Sequence, residues 1–586
     1  MSESQSVLLR VAMMLLTGAG AAVGAAQTAA SAALTAVKPT EASVASQAAP
    51  PALGLAQFRA DPEKIRAHVT FLASDALQGH DGDIAAEYIA KQFASYGLEP
   101  AGDNGSYFQA IPMVEVKTLG ETSFHLVSTG LETMTLKNLE DFVTNNESQT
   151  DSTYIDAPIV FVGYGINAPQ YVWDDYKQID LDGKVALVFA NEPASDDPKF
   201  FNGKAGTYFG SWKYKFEETA RRGAIATLII HRADLTGDSW EVRRNTWGRR
   251  RYYLQDDGTP KLRAAAWIRI EAAKKLAALA GLDLDKLFEQ AQSRTFSPIE
   301  LSLRLQAHIA SQVRPLVSRN VLAVLPSEGA ISQEAVLYTA HYADLGMDPA
   351  IQGHDIDRGA VDSATGCGVL LEVARAWSQA PATARRAILF AALTAEDQGL
   401  LSSQYLAKHS PVPPGKISLA LNYDTLPPIG DTREVVVTGA ERTTFYSAVE
   451  AEAKTLMLAI RPDPHPETGR YYSSSHFSLA RAGVPSFSIA EGLESRRHGA
   501  GRAEAPKQDA LEQRHRQPTA AHLPAMDFSG DAKLGTFGYE LGLQASSQLE
   551  LIGWVPRDEF DAERKRSQLP DQIRRQAPQR KIKKHK

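Results

Sequence analysis

The sequence predicts an α/β fold with a mostly parallel central sheet flanked by helices, and three observations predict it. First, three short and nearly continuous apolar runs, Ala335 to Ala340, Ala387 to Leu393 and Ile417 to Leu421, are separated by helical patterns. Strands buried on both faces of a sheet read this way. Second, each run ends in residues able to hold a metal: His341, the Glu396–Asp397 pair and Asp424. Third, Val369, Leu370, Val373 and Trp377 recur at helical spacing between the first two runs, with Asp362 in the loop ahead of them, where its carboxylate also suits a helix cap. Ligands of open α/β sheets bind beyond the carboxyl ends of the strands. One histidine and four carboxylates delivered to that edge make a candidate hydrolytic metal centre. Taken singly, each residue has a plainer role: an N-cap, a hydrogen-bonded surface histidine, a solvated turn. Their convergence on one sheet edge favours the metal centre.

These segments resemble metallopeptidase family 28, the dinuclear zinc aminopeptidases and carboxypeptidases. F-L-A-S-D-A-L-Q-G from Phe71 and Y-I-A-K-Q-F-A-S-Y-G-L-E-P-A-G from Tyr88 are similar to the family's opening helices. S-R-N-V-L-A-V-L-P from Ser318 resembles its leading strand, and A-G-V-P-S-F-S-I from Ala482 a late one. The resemblance spans roughly residues 57–125 and 300–556. It implies a zinc-dependent exopeptidase, most simply an aminopeptidase, that acts on peptides with one or two zinc ions per chain. Asp362 holds the place of the bridging carboxylate, and His341 and Asp424 those of the remaining protein ligands of one metal. Asp397 and a late histidine, His515, would complete the other. Glu396 matches the general base, which takes a proton from the attacking water and passes it to the leaving amine.

The chain departs from the family pattern at four positions around this site. Residue 343 is Ala where H-x-D is usual, with Asp344 one position later. Glu396–Asp397 replaces Glu-Glu, Ser475 stands before His476 in place of Asp, and Arg516-Gln517-Pro518 replaces H-Q-P. Two classes of function therefore stay open: the exopeptidase, and a catalytically weak or inactive relative that serves as a binding or structural module. Cyclisation of N-terminal glutamine on the same fold ranks behind both, because those enzymes usually lack the inserted domain described next.

Taken in order, Arg10 followed by V-A-M-M-L-L-T-G-A-G-A-A-V-G-A-A reads as an export signal over residues 1–26, too short and Gly-rich for an integral membrane span. The expectation is a periplasmic or secreted protein. Residues 27–56 are Ala/Ser/Thr/Pro-rich and read as a flexible linker. Residues 57–131 open the peptidase domain. Residues 132–299 carry A-P-I-V-F-V-G-Y-G, G-K-V-A-L-V-F-A and A-T-L-I-I-H, a β-rich pattern that resembles the protease-associated domain inserted in some family members. Such an insert implies a role in substrate access, without chemistry of its own. Within it, W-G-R-R-R-Y-Y-L from Trp247 reads as a solvated basic loop. The peptidase domain resumes over 300–556, and 557–586 read as a disordered basic tail. A chain of 586 residues is too long for one core. Its net charge of −7 argues against a nucleic-acid partner. The lone Cys367 forms no intrachain disulfide, and the absence of a G-x-S-x-G elbow weakens a serine hydrolase reading.

Overall fold

The computed structural model describes residues 58–74, 82–130, 132–248, 250–255, 257–329, 331–343, 359–379, 384–424, 426–492 and 526–570. The expected leader and linker lie outside them. Helix α1 (Pro62–Leu72) begins where Asp61 accepts the amide of Glu63, with Pro62 in the first turn, a position where its missing N–H costs nothing. Helix α2 (Asp83–Ser95) ends at Tyr96, ahead of the left-handed Gly97. Strand β1 (Phe108–Thr118) then carries the chain into the inserted region.

The insert is a sheet with its own core. Strands β2 (Ser152–Phe161) and β3 (Val185–Phe189) are joined through helix α3 (Trp212–Arg221) to β4 (Ala226–His231). Next come β5 (Arg250–Leu254), β6 (Ala264–Arg269) and helix α4 (Ile270–Leu279). β2, β3, β4 and β6 are parallel neighbours in that order. Apolar residues of β3 and β4 are buried on both faces, Leu187 and Ile230 in one cluster and Val188 and Ile229 in the other. The basic cluster is not a loop. Arg250–Leu254 forms β5, antiparallel to β1. Arg251 is buried, its guanidinium 4.9 Å from the Trp247 ring centroid and 5.6 Å from that of Trp212. One aromatic face from the same stretch and one from helix α3 accept this cation in place of water.

Strand β7 (Ile299–Leu325) runs for 27 residues and belongs to both halves. Its first part lies between Ser123–Ser128 and β2 in the insert. From Ser311 it pairs with β1, and from Val321 with the peptidase sheet. That sheet is built from β8 (Ala335–Ala343), β9 (Ala387–Thr394), β10 (Ile417–Tyr423) and β11 (Ser486–Glu491), separated by helices α5 (Gly359–Gln379), α6 (Leu401–His409) and α7 (Ser475–Arg481). The order β7-β9-β8-β10-β11 is parallel except at β7. All three sequence-predicted strands are therefore present and buried, each extended by one to three residues at its carboxyl end.

Alternation along β8 fixes the layers. Val336, Tyr338 and Ala340 join a core with α1, α2, α5 and α8 (Ser529–Ser547), while Leu337 joins Leu406 and Leu479 of α6 and α7 on the opposite face. The result is helix–sheet–helix, the arrangement that buries a parallel sheet on both sides. The stretch expected to be disordered from 557 is ordered at least through its first part, and residues 571–586 lie outside the described ones. Helix α9 (Asp561–Ser567) is anchored by Arg564, which is 2% exposed and donates to the carbonyls of Pro414, Ile417 and Ile552. A single buried cation that satisfies three carbonyls holds a segment with no apolar periodicity.

Candidate metal centre

Strand register brings the candidate ligands to one level. Ala340 lies opposite Ala392 on one side and Tyr423 on the other. His341 follows Ala340 and Asp424 follows Tyr423, while Glu396 stands two residues past the end of β9. His341 and Glu396 are 4% and 5% exposed, and the Asp424 side chain is 31% exposed. One ligand atom from each of the three lies within 4.8 Å of the others. His341 Nδ1 touches Glu396 Oε2 and stands 3.6 Å from Asp424 Oδ1.

The surroundings hold these side chains from behind. Glu396 Oε1 accepts the backbone N–H of Ser475 at 2.6 Å. Ser474 Oγ accepts from Asn422 Nδ2, and Asn422 Oδ1 accepts from Thr339 Oγ1. A hydrogen-bonded chain thus ties the start of α7 to the middle of β8 and the carboxyl end of β10. Gly366 makes room on the other side, since a Cβ there would stand 2.4 Å from the Asp424 carbonyl oxygen and 2.6 Å from that of Tyr423. Any larger residue would push α5 off the backbone that presents Asp424. Burial drives the Glu396 pKa up and the Asp424 charge adds to the rise, while His341 and Ser475 oppose it.

The turn after β9 is strained. Ala395, Gly399 and Leu400 all have positive φ, at 51°, 102° and 62°. The first and last are conformations that side-chain-bearing residues seldom adopt. The amides of Gly399 and Leu400 both donate to the Glu396 carbonyl, closing the turn. This backbone aims Glu396 into the cluster and leaves Asp397 exposed and outside it.

Helix α5 starts at Gly359, so Asp362 occupies its first turn instead of the preceding loop. Ala360 and Val361 continue the helical pattern upstream. The Asp362 side chain, His515 and Arg516 lie outside the described residues. His476 is a buried residue that the sequence marked only as a neighbour of Ser475. It is 1% exposed, the Tyr471 ring meets it edge-on at 4.7 Å, and neither ring nitrogen has a hydrogen-bond partner among the described residues. Burial depresses its pKa to about 4, against the pull of Asp424.

The donor set suits zinc. Imidazole nitrogen and carboxylate oxygen are common zinc ligands at about 2.0–2.2 Å, which puts tetrahedral donors roughly 3.3–3.6 Å apart. His341 Nδ1 and Asp424 Oδ1, 3.6 Å apart, stand at that spacing.

Residues 320–518 match the model of Peptidase family M28. The M28 region therefore contains β8, β9 and β10 with His341, Glu396 and Asp424, and it extends through α7. Among solved structures, the chain is similar to an aminopeptidase from Aneurinibacillus sp. strain AM-1 at 18% identity and a TM-score of 0.45, covering 84% of this chain and 96% of that one. It is also similar to a Peptidase M28 precursor from Shewanella amazonensis SB2B, at 17% identity and a TM-score of 0.40 over 85% and 95% of the two chains. A zinc aminopeptidase from Bacillus subtilis follows at 16% identity and a TM-score of 0.36, over 80% and 95%. No curated protein matches the chain by sequence. No helix among the described residues is long and apolar enough to cross a membrane.

Proposed function

We propose that the chain is a zinc-dependent exopeptidase that acts as an aminopeptidase on peptide substrates. The observation that carries this reading is the convergence of His341, Glu396 and Asp424 at the carboxyl ends of three parallel strands within the M28 region. Zinc, when bound, supplies a Lewis acid that acidifies water and polarises a peptide carbonyl. His341 and Asp424 would hold it, with Asp362 as the third ligand that the family resemblance assigns. Glu396 takes the proton of the attacking water and delivers it to the leaving amine, and the Ser475 amide keeps its carboxylate in place for both transfers.

The centre is lopsided in this reading. Asp397 is exposed and outside the cluster, and Arg516 stands where the family has its late histidine. A guanidinium stays charged, cannot act as a ligand and repels a divalent cation. One ion is held firmly and a second weakly. The test is zinc content per chain after exhaustive dialysis, with hydrolysis of amino-acid anilides before and after chelation. The expected result is one retained zinc with slow hydrolysis, lost on chelation and restored by zinc. Two retained ions would overturn the lopsided centre. Neither zinc nor hydrolysis would overturn the peptidase and leave the binding-module reading.

A further inference from the structure

One face of helix α3, in the insert, reaches both elements that orient Glu396. Lys213 Nζ donates to the Gly399 carbonyl oxygen at 2.6 Å, inside the strained turn. The Trp212 indole packs on the same glycine, 3.5 Å from where a Cβ would stand. Four residues along α3, on the same side of the helix, Glu217 receives Arg481 in a two-pronged pair at 3.1 and 3.2 Å. Tyr208 also donates to Glu217, at 2.6 Å. Arg481 closes α7, the helix whose first residue, Ser475, holds the Glu396 carboxylate. The turn therefore carries Glu396 and α7 grips it, and α3 is bonded to both.

Left-handed backbone at Ala395 and Leu400 persists only where neighbours over-determine it. From its own side, Gln404 supports the turn by donating to the Gly399 and Leu400 carbonyls. Ser403 also donates to the Leu400 carbonyl, and the Leu400 side chain is buried with Tyr471 and Phe477. The insert adds Lys213 and Trp212 at Gly399. We propose that Lys213 and Glu217 are positioning residues for Glu396: the inserted domain is a strut that sets the geometry of proton transfer, beyond any influence on substrate access. Neither residue touches the cluster of His341, Glu396 and Asp424. Each acts through the turn or through α7. The proposal rests on the exopeptidase reading for its kinetic consequence but not for its structural one.

Two measurements on the full zinc-loaded chain test it. The first is steady-state hydrolysis by Lys213→Met and Glu217→Gln. Displacement of a proton-transfer group by a fraction of an ångström to one ångström lowers kcat by roughly 10–100-fold, while KM, zinc content and melting temperature stay near those of the parent. Lys213→Arg, which keeps a donor for the Gly399 carbonyl, restores most of kcat. The second is hydrogen exchange at the Ser475 and Leu400 amides, which quickens in both variants although neither substituted side chain touches those amides. A kcat fall matched by loss of zinc, or unchanged kcat in both variants, overturns the proposal. So does unchanged exchange at Ser475 in Glu217→Gln. If the parent chain proves inactive, the exopeptidase reading fails, and the exchange result alone decides whether α3 positions Glu396.

Discussion

Which of two adjacent acids faces the metal cluster is decided at Ala395. Alternation along an extended strand would send Glu396 and Asp397 to opposite faces, but the sequence does not say which of them turns inward. The left-handed Ala395 takes the chain out of strand geometry just before the pair, so alternation no longer applies. The structure buries Glu396 against His341 and leaves Asp397 exposed. Glu396→Gln keeps the shape and removes the basicity. Turnover should fall by about 10²–10⁴-fold, with zinc content unchanged by elemental analysis. Loss of zinc along with activity would make Glu396 a ligand and not the base. His341 and Asp424 were legible because each directly ends a buried apolar run. Lys213 was not, because its partner lies 186 residues away and nothing local marks a lysine whose task is to hold a distant carbonyl.

Helix α8 shows how packing overrides local preference. Its stretch S-G-D-A-K-L-G-T-F-G-Y-E-L-G-L contains four glycines, and each lowers helix stability by up to about 1 kcal/mol. For two of them the reason lies in the sheet itself. A Cβ at Gly538 would stand 1.9 Å from the Tyr423 hydroxyl, and one at Gly542 would stand 1.7 Å from that of Tyr338. Those tyrosines belong to β10 and β8, the strands that deliver Asp424 and His341, and the Tyr338 hydroxyl donates to the Gly538 carbonyl. The glycines let α8 lie close against the sheet beneath the site. Gly542→Ala would raise intrinsic propensity yet overpack this contact. The chain should lose about 1–3 kcal/mol in denaturant unfolding, where propensity alone predicts a gain. The strands themselves were readable because burial on both faces demands unbroken apolar runs. Helix α9 was not, since one buried arginine anchors it and no apolar stripe does.

On the scale of the whole molecule, the two sheets share a single strand. β7 passes from the insert to the peptidase half with continuous pairing, and β5, from within the insert, pairs with the outer side of β1. A boundary at 299 follows from hydrophobic patterning, which marks the start of a core. That patterning has no means to show that one strand serves two cores, or that the basic cluster lends a strand to the neighbouring sheet. This arrangement has a consequence for the chain's colloidal behaviour. Deletion of 132–299 would strip β5 from β1 and bare a row of backbone donors and acceptors on residues 113–117, alongside the half of β7 that keeps its place. An uncovered edge of that kind recruits the same edge of another molecule. The shortened chain should therefore accumulate as β-rich aggregates, detected by light scattering and by a gain in infrared intermolecular-sheet absorbance. A monodisperse, soluble product would show that the peptidase half guards its own edge. The insert is thus also the cover that keeps one copy of the peptidase sheet from growing onto the next.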